Sequence, residues 1–227
     1  MRYELDFAPP LAYGSDLLLG AATTVGLSVA TTVFGFGLGV VCAVARSGRT
    51  GAAARVAGAY VETIRNTPLL VQIFIVYFGL ASVGFKLGVF TAATLALVIN
   101  VGAYTGEIVR AGIESVPRSQ LEAAQCLALG RWQVLRHVVL PPAIERVWPA
   151  LTSQYVLLML ATSVTSQIST EELTAVANRI QSDTFRSVET YLIVAAAYLA
   201  LSLLMRVLYW AVGSLAFPRR RRLGTPL

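Results

Sequence analysis

The chain has 227 residues, 56% of them hydrophobic and only 13% charged, with a formal net charge of +6 and a mean hydropathy of +0.67. Soluble domains carry about 25% charged residues, so this composition excludes an ordinary soluble domain and defines an integral membrane protein. The sequence has no Gly-x-x-x-x-Gly-Lys-Ser/Thr phosphate loop and no His/Cys spacing suited to zinc, so the chain reads as a non-enzyme that holds neither nucleotide nor metal and has no catalytic residues.

Residues 1–16 read as a short external lead-in, in which Pro9-Pro10 and Gly14-Ser15 discourage regular structure. Glu4 and Asp6, with no basic stretch ahead of an apolar core, argue against a cleavable signal peptide, so the first span is expected to stay in the mature chain. A single transmembrane domain, residues 17–218, then holds five apolar stretches at about 17–45, 57–80, 88–110, 146–168 and 190–213. Each is long enough to cross roughly 30 Å of hydrocarbon as a helix. The first contains Gly35-x-x-x-Gly39, which is either a face for close helix packing or simply part of a small-residue membrane helix. The second carries Thr67-Pro68, where proline interrupts the hydrogen-bond ladder and predicts a kink or a fresh helix start.

Charge, read by position, orients the spans, because Lys and Arg collect on the cytoplasmic side. With the N-terminus outside and the C-terminus inside, fourteen basic residues lie inside: Arg46, Arg49, Arg55, Arg65, Arg110, Arg118, Arg131, Arg136, Arg146, Arg206 and the four of Arg219-Arg220-Arg221-Arg222. Only Arg2, Lys86, Arg179 and Arg186 remain outside. The basic tail, residues 219–227, then anchors to anionic membrane lipid, and nucleic acid is excluded as a partner. Cys42 and Cys126 both fall toward the reducing side, so no disulfide is expected.

The third span returns through Asn100, Tyr104 and Glu107 to Arg110. Residues 111–146 follow as a polar inner region, with Pro117 ahead of Glu122-Ala123-Ala124, Gly130 in the middle and Pro141-Pro142 at its close. That punctuation predicts two short helices joined at a bend. After the fourth span, Ser169-Thr170-Glu171-Glu172 has the form of a capping box, and Leu173, Val176, Ala177 and Ile180 follow at helical spacing. This predicts an amphipathic helix on the outer surface, which covers the bundle or helps gate an external opening. His137, beside Arg136 at the membrane edge, reads as an interfacial histidine.

Polar groups inside spans are costly and often mark pathways, which nominates Gln72, Asn100, Tyr104, Gln154, Thr162 and Ser163 as candidate substrate-pathway residues. For Thr162 and Ser163, hydroxyls bonded to their own helix backbone are an equal alternative. Glu107 is expected to pair with Arg110 or Arg65.

Several of these residues stand in a recognisable order. Arg65-Asn66-Thr67-Pro68-Leu69-Leu70-Val71-Gln72 and Tyr77-Phe78-Gly79-Leu80 come first. Asn100, Ala103-Tyr104, Glu107-Ile108, Arg110, Ile113, Ser115-Val116-Pro117 and Gln120 then run into Glu122-Ala123-Ala124. Ala128 follows Glu122 by six positions, and Val138, Leu140 and Pro141 follow ten beyond that; Thr162-Ser163, Glu172-Leu173-Thr174 and Phe185 extend the series. Over nearly its whole length the chain resembles the permease subunits of ABC importers for polar amino acids. The segment around Glu122 resembles their EAA loop, with Ala128 where glycine usually stands.

The resemblance implies an all-α membrane protein of the type I ABC importer permease fold, with five transmembrane helices and a cytoplasmic coupling helix, within the loop at 117–142, between spans 3 and 4. It implies a bacterial inner-membrane subunit that works by alternating access. Its partners would be a cytoplasmic ABC ATPase dimer, a second permease subunit and an external solute-binding protein, with ATP and magnesium bound by the ATPase and an amino acid as substrate. In the coupling loop, Glu122 would offer charge to a basic ATPase residue, and Ala123, Ala124 and Ala128 would permit close packing. Gly130 would allow the bend, while Leu140 and Pro141 would mark where the next segment begins. Read without the resemblance, Glu122 is a solvated residue on a surface helix.

One departure stands out: many relatives have Lys-Asp just before Thr-Ser, whereas this chain has Leu160-Ala161. A heterodimer is therefore expected, with the other permease subunit carrying most charged ligand contacts. Two alternatives remain open, an importer for another small polar solute and a channel or scaffold not coupled to ATP.

Overall fold

The computed structural model describes residues 4–48 and 51–217, so Arg2, Arg49 and the arginine tail lie outside the described residues. After a one-turn helix at Ala8–Leu11, α1 spans Gly14–Ser47, α2 Ala52–Arg65, α3 Leu69–Ser82, α4 Val89–Glu114, α5 Arg118–Cys126, α6 Arg131–Ile168, α7 Leu173–Thr184 and α8 Ser187–Ala216. No strand occurs among the described residues. Helices α1, α4, α6 and α8 are each long and apolar enough to cross a membrane, and the bent pair α2 and α3 makes a fifth span if counted as one.

The expected second span at 57–80 is thus a broken element. Asn66 leaves helical geometry and Pro68 is extended, with φ −64° and ψ 138°. Proline holds its predecessor out of the α region, so α3 makes a fresh start at Leu69. At 14 residues, α2 is about 21 Å long at 1.5 Å per residue and too short to cross alone. In the lead-in, Pro9-Pro10 begin a helical turn where the sequence predicted none. Proline is tolerated there because the first N–H groups of a helix have no intrahelical partner anyway.

The described residues form two compact units: residues 4–33, 68–98 and 155–207 make the first, and residues 34–48, 51–67, 99–154 and 208–217 the second. In the first, Leu27, Ile73, Ala92, Ala93, Ala96 and Ile168 are buried together. Leu173, Val176, Ala177 and Ile180 of α7 are also buried, as their helical spacing predicted. Gly20 of α1 lets α7 approach, since a Cβ there would stand 3.1 Å from Leu173 Cα.

The start of α7 differs from the predicted capping box. Ser169 has φ 65° and ends a tightened turn at Thr162–Ile168, so it cannot cap. Glu172 caps instead, its carboxylate accepting from the Ala175 N–H at 2.8 Å and from the Tyr198 hydroxyl at 2.6 Å. Burial raises the Glu172 carboxyl above the usual carboxylate range, against the lowering effect of these hydrogen bonds.

In the second unit, Gly35-x-x-x-Gly39 is a packing face. A Cβ at Gly39 would lie 2.5 Å from Thr105 Cγ2 and 2.9 Å from the Gly106 backbone nitrogen, and one at Gly35 would collide with Val101. Val116, Val139 and Ala143 form a further core with Ile113, Leu121, Val134 and Leu135, joining the ends of α4, α5 and α6.

Candidate functional site

The segment around Glu122 is built from α5, a tight turn and the first turns of α6. Pro117, extended at φ −60° and ψ 138°, stops α4 from running on and sets the start of α5. On α5, Ala124 is buried and Leu121, half-buried, packs against the core of Val116, Val139 and Ala143, while Glu122, Ala123, Gln125 and Cys126 are exposed. Glu122 makes no ion pair among the described residues. Of the three alanines expected to permit close packing, Ala124 packs within the chain, whereas Ala123 and Ala128 face outward.

The bend is made by Ala128. Its φ is 51°, and the Ala128 N–H donates to Gln125 O at 2.9 Å while the Leu129 N–H donates to Ala124 O at 3.2 Å. These are the two bonds of a Schellman C-cap, whose left-handed residue is usually glycine. A glycine here would adopt the same conformation without strain. Gly130, expected to allow the bend, has φ −67° and ψ 155°, which any residue adopts; its N–H donates to Gln133 Oε1 at 2.8 Å. Ala128→Gly should relieve the left-handed strain and stabilise the turn by about 1 kcal/mol. Hydrogen exchange of the Ala128 and Leu129 amides should slow about fivefold as a result, and unchanged exchange would deny that strain.

Past the turn, the helix does not pause at Pro141-Pro142 as the sequence predicted. It is continuous from Arg131 through Val134–Val139, where the turns widen to π-helical, and resumes α-helical geometry at Leu140. The prolines fall in the first turn of that resumed register, where a missing N–H does least harm. Leu140 is half-buried and Pro141 exposed. His137 Nδ1 lies 3.2 Å from Gln133 O, an ordinary contact within the helix.

Glu107 of α4 stands among arginines of three helices. Its Oε2 accepts from Arg46 Nη1 at 2.5 Å and lies 4.0 Å from Arg65 Nη1, while its Oε1 accepts from Arg110 Nη2. Arg110 also pairs with Glu114 at 2.5 Å, and the Arg65 guanidinium lies 5.5 Å from the centre of the Tyr104 ring. Nearby, the Tyr60 hydroxyl donates to Ile99 O at 2.6 Å. Arg65 and Arg110 were expected. Arg46 was not, since it lies 61 positions away on another helix, beyond any local spacing.

The pathway candidates divide between the units. Gln72, Thr162 and Ser163 belong to the first, and Asn100, Tyr104 and Gln154, all half-buried, to the second. Gln72 is buried. Thr162 is fully buried and its hydroxyl donates to Met159 O at 2.7 Å, while that of Ser163 donates to Leu160 O at 2.7 Å, the backbone alternative in both cases. Ser163 and Leu160 line a depression of about 500 Å³ with Thr174, Tyr191 and Tyr198. A cleft of about 870 Å³ in the first unit is lined instead by Asp16, Thr23, Ser166, Glu171, Asn178 and Arg179, with Asp16 and Arg179 paired at 3.0 Å, and by none of the six candidates.

A family model described as "binding-protein-dependent transport system inner membrane component" matches residues 35–215. The glutamine transport system permease protein GlnP of Escherichia coli (strain K12) is 35% identical over 191 residues, covering 83% of this chain and 87% of that protein. The octopine transport system permease protein OccM of Rhizobium radiobacter is 35% identical over 171 residues, covering 71% of this chain and 70% of its own length. Among solved structures, a chain of an amino acid ABC transporter crystallised with histidines superposes with a TM-score of 0.83 at 34% identity, over 93% of this chain and 99% of that one. An inward-facing MetNI methionine ABC transporter, at 19% identity and a TM-score of 0.74, shares the fold. With the family model spanning most of the chain and relatives of this similarity matching over most of their length, the chain belongs to the binding-protein-dependent transport system inner membrane components, with the type I ABC importer permease fold.

Proposed function

We propose that this chain is the permease subunit of an amino acid ABC importer of the bacterial inner membrane, oriented with its N-terminus outside and its C-terminus inside. The observation that carries the reading is the segment at 117–142, a short helix anchored by Ala124 and Leu121 that presents Glu122 outward without an ion pair among the described residues. Such a surface is suited to docking on a basic partner. The partner is a cytoplasmic ABC ATPase dimer that binds ATP and magnesium, and an external solute-binding protein delivers the amino acid. The amino acid assignment draws on GlnP, OccM and the transporter crystallised with histidines.

The second permease subunit is a different chain. Leu160 helps to line the depression beside Ser163, which has no charged lining residue, so charged ligand contacts come from the other subunit. Copurification through a tag on this chain, followed by ATP hydrolysis and uptake across a panel of amino acids in proteoliposomes with the binding protein, tests both parts. Amino-acid-stimulated hydrolysis with uptake is the expected result. Uptake without ATP would overturn the reading in favour of a channel, and full uptake with this chain as sole permease would overturn the heterodimer.

A further inference from the structure

In the second unit, the end of α4 is held at two places. Ile113 of its last turn and Val116, two residues past its end, pack with Leu121 of α5 and with Val134, Val139 and Ala143 of α6. Gly112 lies so near α6 that a Cβ would stand 2.8 Å from Ala143 O, and Arg146 Nη1 donates to Ser115 O at 2.5 Å. Six residues before Ile113, about 9 Å along the helix, Glu107 gathers Arg46 from α1 and Arg65 from α2. Between these points α4 is an uninterrupted helix, and Gly39 seats α1 directly against it at Thr105 and Gly106. The helix is thus a short lever, with the Glu122 segment near one end and, about two turns away, a carboxylate that ties the ends of α1 and α2 to it beside the Gly39 packing and the Tyr60 hydrogen bond to Ile99 O.

The two grips on Glu107 are unequal. Arg46 and Arg65 address the same oxygen, Arg46 at 2.5 Å with 18% of its side chain exposed, Arg65 at 4.0 Å with 41% exposed. Arg65 is the last residue of α2 and also lies over Tyr104, so Glu107 itself grips the end of α2 less tightly than that of α1. Without Glu107, three guanidinium groups from α1, α2 and α4 would lose their shared carboxylate, leaving Arg110 with the more exposed Glu114, and mutual repulsion would separate the helix ends.

We propose that Glu107 is a positioning residue for transport, passing displacement of the α5–α6 segment along α4 to α1 and α2. The inference rests on the permease reading above. A purely stabilising ion-pair cluster would lower uptake and ATP hydrolysis together; a positioning residue separates them.

The test compares the complete reconstituted complex carrying wild-type chain, Glu107→Gln or Arg65→Gln. Amino acid taken up per ATP hydrolysed should fall about tenfold in Glu107→Gln and about threefold in Arg65→Gln, with assembly unchanged and ATP hydrolysis within about twofold of wild type. Spin labels at Ser47 and Gln125, in a background lacking Cys42 and Cys126, should keep a constant separation through the ATP cycle in wild type. That separation should shift on ATP binding in Glu107→Gln, as α5 moves without α1. Wild-type uptake per ATP, or uptake and hydrolysis falling in proportion, would overturn the proposal. Should Glu107→Gln fail to assemble, Arg65→Gln decides, and wild-type uptake per ATP in that variant overturns it. Absence of ATP-driven amino acid uptake by the wild-type complex would overturn the permease reading instead.

Discussion

Replacing Glu122 by arginine should cut ATP-driven uptake by about tenfold or more while leaving the folded chain as stable as before, because like charges forced together across an interface cost several kcal/mol. Two features separate those outcomes. Glu122 is exposed and makes no ion pair among the described residues, so its replacement breaks no ion pair there, and such surface changes shift stability by roughly 0.5 kcal/mol at most. Meanwhile Leu121 still packs against the core of Val116, Val139 and Ala143, and Ala124 stays buried. Copurification of the ATPase and uptake by proteoliposomes check the first outcome, and thermal unfolding in detergent the second. Wild-type assembly and uptake in Glu122→Arg would remove the docking role from this residue.

The largest effect on the fold is expected at Gly39. Leucine there must place its Cβ 2.5 Å from Thr105 Cγ2 and 2.9 Å from the Gly106 nitrogen. A rotamer change moves Thr105 Cγ2, but Thr105 Cβ at 2.6 Å and the Gly106 nitrogen yield only if α1 and α4 move apart. Overpacking of that kind costs about 3 kcal/mol. Gly37, two residues along the same helix, is exposed, and a Cβ added there would meet nothing within 4 Å. Gly37→Leu therefore adds the same hydrophobic bulk without the collision. Unfolding of the purified variants should show a large loss for Gly39→Leu and almost none for Gly37→Leu. Equal stability of the two would show that the small-residue spacing is not a packing face.

Much of this architecture is legible in the sequence. Hydropathy places the apolar stretches, Thr67-Pro68 predicts the break before α3, and the spacing of Leu173, Val176, Ala177 and Ile180 predicts the buried face of α7. The Glu122 segment is legible because its residues are close in sequence and its punctuation by Pro117 is local. Reading fails where two local signals compete. Ser169 fits a capping box, yet the tightened turn before it leaves Ser169 left-handed, so Glu172 takes the cap. Pro141-Pro142 reads as a stop, yet the widened turns at Val134–Val139 bring the helix to those prolines without a loop.

By itself, then, the amino-acid sequence determined the membrane class, the apolar stretches and the position of the Glu122 segment, because hydrophobic length and short-range backbone restrictions act within a few residues of each side chain. Only the tertiary structure decided that Arg46 joins Glu107 from 61 positions away, that the Leu173 N–H meets the Thr24 hydroxyl across 149 positions, and that Ala128 rather than Gly130 makes the turn. Buried polar and charged groups must find partners, and which partner is reached depends on how helices pack rather than on any period along the chain.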